Sequence, residues 1–299
     1  MKKSSIFLLF MLPVAVFAGR LSLYIENDLP FEDDSDYSHG TRIEYGPGDG
    51  WKFGVQQQMY TPYDLRNSEQ VPGRHPYAGY LVGFGGKRSI KKVKKDIFAY
   101  SDLELQLGVL GPASLAEQTQ KFTHKLTGSR YPAGWDHQLQ NEVVVQTALW
   151  GGGDWRFAGT EKGWSLHLVP EIGALLGTLQ VAPGFNMELR AGYNTKSGQN
   201  DSEIGIRSVK KNKFSCFFLS GIETRYWLRN ELLEGNASYV GNHDTLTVEK
   251  EDFTGCVKFG AGFGYDKFDV RVVVLKCSRE YTTQERTPNY ASLTVGWSF

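Results

Sequence analysis

The chain has 299 residues, with 33 Lys and Arg residues balanced by 33 Asp and Glu residues. Because its formal net charge is zero, it has no bulk attraction for nucleic acid, and we expect no nucleic-acid partner. Its 34 glycines, 18 phenylalanines, 15 tyrosines and 7 tryptophans instead favour a protein of many strands and turns.

The first 18 residues have the parts of a secretory signal peptide. Lys2 and Lys3 precede an apolar segment at 6–17, and Ala18 is a small residue suited to cleavage. That segment is too short to span a bilayer, and no later stretch has the roughly 18 apolar residues of a membrane helix. We predict a signal peptide at 1–18 and a single barrel domain at 19–299.

Period-two alternation runs along the rest of the chain. In the last strand, Ala291, Leu293, Val295, Trp297 and Phe299 alternate with polar or small residues. An apolar face and a polar face are expected of strands with lipid outside and a wet lumen inside. Twelve strands are predicted, at 20–27, 36–46, 51–60, 77–88, 97–109, 137–150, 163–178, 182–194, 213–228, 249–264, 267–281 and 288–299.

This pattern predicts an all-β fold, a transmembrane antiparallel β-barrel of about twelve strands. A soluble secreted sandwich would also alternate. The even strand count, the aromatic content and the terminal Phe299 favour the barrel. If the mature chain starts in the periplasm, the connections at 28–36, 61–76 and 110–136 all lie on the outer rim.

The first of these connections is acidic, with Glu32, Asp33, Asp34 and Asp36 between the two strand ends. The third, 110–136, contains a predicted helix. Ser114 and Glu117 have the spacing of a capping box, and Gly128 is a stop signal.

Side chains of this predicted helix suggest chemistry at the rim. Leu115, Phe122 and Leu126 form an apolar stripe, and Gln120 and His124 lie one turn apart on a shared face. The topology places His124 on the same rim as Asn27, Asp28 and Ser38. An imidazole can deprotonate water, and nearby carboxylate and carbonyl oxygens suit calcium, so an esterase is plausible.

Other features have simpler interpretations. The basic run KRSIKKVKK (87–95) and the run GGGD (151–154) are predicted as turns. Aromatic girdles at the two membrane interfaces are expected to contain Tyr131, Trp135, Trp150, Trp155 and Trp164. The odd number of cysteines leaves at least one thiol unpaired, and we favour small apolar strand residues over a disulfide or metal role for Cys216, Cys256 and Cys277.

Six segments, in order, resemble the lipid A 3′-O-deacylase family of Gram-negative outer membranes. They are Asn27-Asp28, DYSHG (36–40), MYTPYDL (59–65), HPYAGYL (75–81), LELQLGVLGPASLAEQTQKFTHKLTG (103–128) and GWDHQLQNE (134–142). The resemblance is dense in the N-terminal half. It implies a twelve-stranded barrel in the outer membrane that uses calcium to remove the 3′-linked acyloxyacyl chain from lipid A of lipopolysaccharide, with an active site facing the cell exterior, between the barrel wall and the surface loops.

The resemblance also implies roles for individual residues. His124 would activate a water, while Asn27, Asp28, Ser38 and Gln120 complete the catalytic set. Calcium would bind near Asp28 and stabilise the oxyanion. An alternative mechanism makes Ser38 a covalent nucleophile.

Two positions depart from the family pattern. The family usually reads Asp-Arg-Pro-Tyr-Ala-Gly where this chain has Arg74-His75-Pro76-Tyr77-Ala78-Gly79. A family member has an acidic residue where this chain has Arg130. Glu142 is the candidate to replace that carboxylate as a metal ligand. The predicted substrate-binding residues are Arg74, His75, Lys125 and Arg130.

Two alternative functions remain open. One is an outer-membrane phospholipase, and the other is a catalytically inactive barrel that serves as a channel or an adhesin. The sequence leaves the oligomeric state undetermined.

Overall fold

The structure is a computed structural model that describes residues 19–28, 36–63, 65, 67–129, 131–195, 213–236 and 247–299. The predicted signal peptide, the acidic residues 32–34 and Arg130 lie outside the described residues.

Thirteen strands are present in the described chain, of which twelve are long. They are β1 (Arg20–Asn27), β2 (Asp36–Gly48), β3 (Trp51–Thr61), β4 (Ala78–Lys94), β5 (Ile97–Leu110), β6 (Glu142–Gly159), β7 (Trp164–Gly177), β8 (Gln180–Tyr193), β9 (Phe214–Tyr226), the two-residue β10 (Arg229–Asn230), β11 (Phe253–Tyr265), β12 (Phe268–Cys277) and β13 (Asn289–Ser298). Two helices lie in the connections, α1 (Ala116–Thr127) and α2 (Glu231–Glu234).

The long strands form one closed antiparallel barrel, as the sequence predicted. Each pairs with its neighbour in the chain, apart from the short β10, which adds to the end of β8. Pairing of β1 with β13 joins the two ends of the chain. Closure leaves no unpaired sheet edge around the barrel, which is what a membrane-spanning sheet requires.

Alternation along the strands separates an apolar wall from a polar lumen. Large apolar side chains of the wall are exposed, as expected for a surface covered by lipid. On β5 and β6 these are Leu103, Leu105, Leu107, Val143, Val145 and Leu149. Among the described residues, no helix is long and apolar enough to cross a membrane.

Paired charges fill the lumen. Arg42 contacts Glu44 at 2.6 Å and Glu104 at 2.8 Å, and Lys52 contacts Glu104 at 2.7 Å. A second group centres on Lys258, only 2% exposed, which contacts Glu188 at 2.7 Å and Glu223 at 2.8 Å. Because these buried charges are paired with opposite ones, the two groups avoid the cost of isolated buried ions.

Towards the α1 end of the barrel the lumen is closed by apolar packing. Leu232 of α2 is buried in a cluster with lumen-facing residues of β4, β5 and β6 and with two loop leucines, namely Ala78, Tyr80, Val82, Leu110, Val144, Leu139 and Leu179. Below this plug a cavity of about 360 Å³ remains among the charged residues.

Two predicted turns belong to strands instead. Glycines 151–153 lie within β6. A glycine is needed at position 152 because an added Cβ would lie 2.3 Å from the Tyr100 hydroxyl. Most of the basic run 87–95 belongs to β4, which continues to Lys94 beside β5. Its side chains are largely exposed on both faces, so the alternation that reveals a strand is lost there.

The favoured interpretation of the cysteines was wrong for two of the three. Cys256 and Cys277 lie directly opposite each other on β11 and β12 and form a disulfide. Cys216 is a free thiol. The two paired residues are 21 positions apart in the chain, and only the strand register brings them together.

The predicted girdle residues divide into two groups. Trp155 and Trp164 are exposed on the outer wall, near the end opposite α1. Trp150 instead faces the lumen, with the Arg225 guanidinium 4.5 Å from its ring centre. Trp135 is 1% exposed and lies beneath α1, so it is not a girdle residue.

Replacing Lys258 with Met tests the charge balance of the lumen. The change leaves Glu188 and Glu223 without their shared cation, so we expect a loss of about 3–5 kcal/mol in the free energy of unfolding. The measurement is urea unfolding in detergent micelles. The folded fraction at each urea concentration is read from the heat-dependent shift of the folded barrel on gels. Lys276→Met, at an exposed position on β12, is the control, and equal stability of both variants would contradict this account.

Candidate functional site

The predicted catalytic residues of β1 and β2 lie on the outer wall of the barrel. Glu26 and Tyr60 line lumen cavities, so by alternation Asn27 and Thr61 point outwards. They stand at the ends of β1 and β3, the same end of the barrel at which α1 lies. The connections at 28–36, 61–76 and 110–136 therefore share one end, as predicted.

A β-bulge gives Ser38 its position. The register between β2 and β3 shifts between Tyr37 and His39, which leaves Ser38 as the extra residue. Its carbonyl accepts a hydrogen bond of 2.9 Å from the Asn27 amide, and its hydroxyl lies 2.5 Å from the Thr61 hydroxyl. Bulges of this kind re-aim a side chain next to functional sites. Here the bulge places the Ser38 hydroxyl on the outer face.

Helix α1 is packed against the same outer face. Gly79 points outwards from β4, and a Cβ added there would lie 2.1 Å from the Ala116 Cβ and 2.9 Å from the Ser114 hydroxyl. Just before the helix, the Ser114 carbonyl accepts a 2.6 Å hydrogen bond from the Gln57 amide of β3. The missing side chain of Gly79 thus lets the start of α1 approach the wall.

A small apolar cluster outside the barrel anchors this contact. Its buried members are Met59 of β3, Leu65, Tyr77, Ala116 of α1 and Trp135. The Tyr77 and Trp135 rings meet edge to face at 5.1 Å. The cluster ties both α1 and the segment that follows it to the wall.

Gln120 is held in a defined orientation by this cluster. It is buried, and its Oε1 accepts a 2.7 Å hydrogen bond from the Trp135 indole. Because an indole can only donate, the oxygen of Gln120 must face Trp135. The amide NH₂ is the end that faces the other way.

Helix α1 is long enough to extend from β4 as far as β2. It starts over β4 and also contacts β3, which pairs with β2. Eight residues of helix advance about 12 Å, whereas neighbouring strands are about 4.8 Å apart. His124, in the last turn of α1, is half-buried.

The apolar stripe of α1 does not face the barrel. Leu115, Phe122 and Leu126 are 53%, 63% and 71% exposed, whereas Ala116 and Gln120 form the packed face. The helix therefore presents its apolar side outwards.

The candidate calcium ligands are only partly brought together. Asp28 is buried directly after β1, next in the chain to Asn27, whose amide contacts the Ser38 carbonyl. A carboxylate among amide, hydroxyl and carbonyl oxygens is the donor set that calcium takes. Among the described residues no group of three or more His, Cys, Asp and Glu side chains could hold a metal ion.

Glu142 does not belong to this group. It starts β6, where its neighbour Val143 is exposed on the wall, so the Glu142 carboxylate points to the lumen side. There its Oε2 accepts a 2.9 Å hydrogen bond from the Asn236 amide. The structure thus does not support the predicted role of Glu142 beside Asp28.

The predicted substrate contact of His75 is also contradicted. His75 is 2% exposed, and its ring stacks on Tyr60 at 5.2 Å. Its Nδ1 donates a 2.7 Å hydrogen bond to the Pro76 carbonyl. Burial lowers the pKa of His75, so the ring is neutral and cannot replace a phosphate-binding cation.

The neighbouring cations have different surroundings. Arg74 forms a 2.9 Å ion pair with Glu285 and is partly exposed at the rim. Lys125 is exposed on the flank of α1. These two side chains remain the candidate phosphate contacts among the described residues.

A buried polar network that the sequence did not reveal supports the start of β2. The Asp36 carboxylate accepts hydrogen bonds from the Tyr281 hydroxyl at 3.0 Å and from the Gln284 amide at 2.5 Å. Tyr281 also accepts one from the His75 backbone at 3.3 Å. The connection between β12 and β13 is thereby fastened beside the Ser38 bulge.

Four further residues of the candidate site were not identified from the sequence, for a common reason. Thr61, Gln57, Gly79 and Trp135 act through contacts between distant segments, and no local pattern marks them. Three of the four, however, lie within or next to the resemblance segments at 59–65, 75–81 and 134–142.

Comparison with known proteins agrees with this architecture. The model of a family described as outer membrane protein LpxR matches residues 4–299. The structure of LpxR from Salmonella typhimurium superposes with a TM-score of 0.77 at 20% identity, covering 94% of this chain and 100% of that one. A comparison with curated proteins gave no match.

Other solved barrels are less similar. The KdgM porin gives a TM-score of 0.39 at 9% identity, covering 94% of this chain and 99% of that one. The β domain of the Bordetella autotransporter BrkA gives 0.44 at 11% identity, covering 94% and 98%.

Gly79→Ala tests the contact that places α1. A Cβ 2.1 Å from that of Ala116 would force the helix from the wall, so we expect α1 to become sensitive to limited proteolysis while the barrel stays folded. The matched control is Gly83→Ala, on the same outer face of β4, where the nearest atom to an added Cβ is 3.9 Å away. Equal resistance of both variants would show that α1 is positioned by other contacts.

Glu280→Gln tests the electrostatics beneath the rim. Burial, and then the nearby Asp36 carboxylate, raise the pKa of Glu280 from 4.5 to about 7. The folded state therefore binds a proton that the unfolded state releases, and stability falls as the pH rises from 4.5 through 7. We expect Glu280→Gln to be more stable than wild type by about 1–2 kcal/mol at pH 8 and unchanged at pH 4.5.

Thermal midpoints from heat-modifiability gels at the two pH values measure this difference. Glu285→Gln, in the same connection but with an exposed carboxylate, is the control. A gain for Glu280→Gln that does not depend on pH would exclude titration of Glu280 as its cause.

Proposed function

Because the chain belongs to the LpxR family of outer membrane proteins, we propose that it is a lipid A 3′-O-deacylase, a carboxylic ester hydrolase. Its substrate would be lipid A of lipopolysaccharide in the outer leaflet, and its site would face the cell exterior. The products would be the 3′-linked acyloxyacyl chain as a free acid and the sugar with a free 3′-hydroxyl.

One observation carries this proposal, namely the position of the site on the outside of the barrel wall. Asn27, Ser38 and Thr61 point outwards, and α1 packs over the same face. A lipid held in the bilayer can reach such a site by lateral diffusion without entering the lumen. A soluble substrate would instead favour a site in the lumen or at its mouth.

His124 is the proposed general base. Its imidazole would take a proton from a water as the water oxygen attacks the ester carbonyl. The tetrahedral intermediate would then collapse, the bond to the sugar oxygen would break, and that oxygen would take the proton back from His124.

The remaining residues would stabilise the negative charge that develops. The amide NH₂ of Gln120 is a donor whose orientation Trp135 fixes, and fixed donors are effective in an oxyanion site. The Ser38 hydroxyl is a second donor on the outer face, and Asn27 holds the Ser38 carbonyl. Lys125 and Arg74 would contact lipid A phosphates.

The residues that would hold calcium are Asp28, Asn27 and Ser38, whose side chains and backbone carry oxygens of the type that calcium binds. When bound, it would polarise the ester carbonyl and stabilise the oxyanion. The carboxylate of Asp28 would supply the charge that attracts the ion, and Glu142 is not required.

Specific observations weigh against the alternatives. A pore is disfavoured because Leu232 and its cluster close one end of the lumen and ion pairs fill its middle. A covalent role for Ser38 is less favoured because its hydroxyl lies 2.5 Å from the Thr61 hydroxyl, a group too weakly basic to activate a nucleophile. A phospholipase would use the same chemistry on another lipid.

His124→Ala is the first test of the mechanism. Loss of a general base costs about 10²–10⁴-fold in rate, so 3′-deacylated lipid A should fall to near background. Mass spectrometry of lipid A and of phosphatidylethanolamine from the same cells measures which ester is cut, with and without a calcium chelator. His137→Ala is the matched control, because His137 lies on the same connection, exposed and 3.7 Å from Glu69.

Ser38→Ala separates the two mechanisms. Removal of a nucleophile would abolish turnover, whereas loss of one donor would leave measurable activity, about 10²–10³-fold reduced. Intact lipid A in cells with correctly folded wild-type protein would reject the deacylase. Cleaved phosphatidylethanolamine in those cells would identify a phospholipase.

A further inference from the structure

From the exposed apolar stripe of α1, we infer that this helix is a membrane-binding element. Leu115, Phe122 and Leu126 insert into the boundary between headgroups and acyl chains of the leaflet around the barrel. The inference concerns binding to a lipid surface, and it does not depend on which ester the protein cleaves.

The first observation is the arrangement of side chains around α1. With 100° per residue, Phe122 and Leu126 are centred about 120° from the packed face of Ala116 and Gln120, and Leu115 directly precedes the helix. A third face, formed by Gln118, Lys121 and Lys125, is polar, and Lys121 on it pairs with Glu117. An apolar stripe beside a polar face that bears lysines is the pattern of helices that lie in a membrane interface.

The second observation is the degree of exposure. Phe122 and Leu126 are 63% and 71% exposed, similar to Leu107 at 64% on the lipid-facing side of β5. Leaving such residues in water is unfavourable in proportion to the apolar area that stays exposed. Lipid acyl chains remove this cost, as they do for Leu107.

The third observation is continuity with the barrel surface. α1 follows directly from the end of β5 and packs on the outward face of β4 at Gly79. The exposed wall beside it contains Leu107, Val143 and Val145. The stripe therefore extends a surface that already contacts lipid.

Backbone strain at the start of the helix is consistent with a role for Leu115. Leu115 has φ of 59°, in the left-handed region where a glycine or asparagine would be favoured. The strained conformation is kept for a leucine that is 53% exposed. Contact with acyl chains offers a gain that would offset this cost.

The stripe is separate from the proposed catalytic face. His124 lies about 180° around the helix from the centre of the stripe. The stripe thus serves to hold α1 in the leaflet, while His124 faces the other side.

Site-directed spin labelling tests the inference. In a Cys216→Ser background, single labels are placed at Phe122→Cys, Leu126→Cys and Gln118→Cys, with Leu107→Cys as the lipid-facing reference. The protein is reconstituted in dimyristoyl phosphatidylcholine vesicles, which contain no lipid A. Collision rates with oxygen, which concentrates in acyl chains, and with a water-soluble nickel complex are measured by power saturation.

We expect labels at 122 and 126 to favour oxygen over nickel, as at 107, and the label at 118 to show the reverse ratio. If the ratios at 122 and 126 match that at 118, the stripe lies in water and the inference is overturned. Broadening that disappears on dilution with unlabelled protein would show that a second copy covers the stripe, which also overturns it. Because no substrate is present, either result leaves the proposed deacylase function untested and intact.

Discussion

The contact between Gly79 and Ala116 is the constraint on which the candidate site depends. It fixes α1 to the outer face of β4, since any side chain at Gly79 would occupy the space of Ala116. Once the start of the helix is fixed there, α1 lies on the same outer wall to which Asn27 and Ser38 point, and it also contacts β3. The placement of the helix on the wall follows from one close packing contact.

The barrel separates two physical tasks between its inner and outer surfaces. The inside is neutralised by ion pairs such as Lys258 with Glu188 and is closed by Leu232, so it provides rigidity. The outside carries the proposed chemistry and the exposed apolar stripe. A rigid closed wall is a suitable support for groups that must be held near a fluid lipid phase, because strand positions are more precise than loop positions.

Periodicity predicted the fold because the long barrel strands share the same alternation, and the described chain has twelve long strands where about twelve were expected. The errors have local physical causes. Glycines 151–153 remove the alternation where Tyr100 needs space, and the lysines at the end of β4 are exposed on both faces. Cys256 and Cys277 could not be paired from the sequence, since only the strand register makes them opposite.

The candidate site was less accessible to sequence reasoning, because it is assembled by contacts between segments. The resemblance named His124, Gln120, Asn27 and Ser38, but nothing local shows that Trp135 orients Gln120 or that Thr61 contacts Ser38. His75 illustrates the limit most clearly. As a departure from a family arginine it suggested altered phosphate binding, whereas its surroundings show a buried neutral ring.

The surroundings of His75 also suggest how the departure is accommodated. The ring packs between Tyr60 and Tyr281, and Tyr281 donates to Asp36 two residues before the Ser38 bulge. An arginine at position 75 would bring a permanent charge into this buried network, whereas a neutral imidazole adds none. The position thus belongs to the packing of the rim, and the residues we propose for phosphate binding are cations that remain at least partly exposed, Lys125 on α1 and Arg74 beside Glu285.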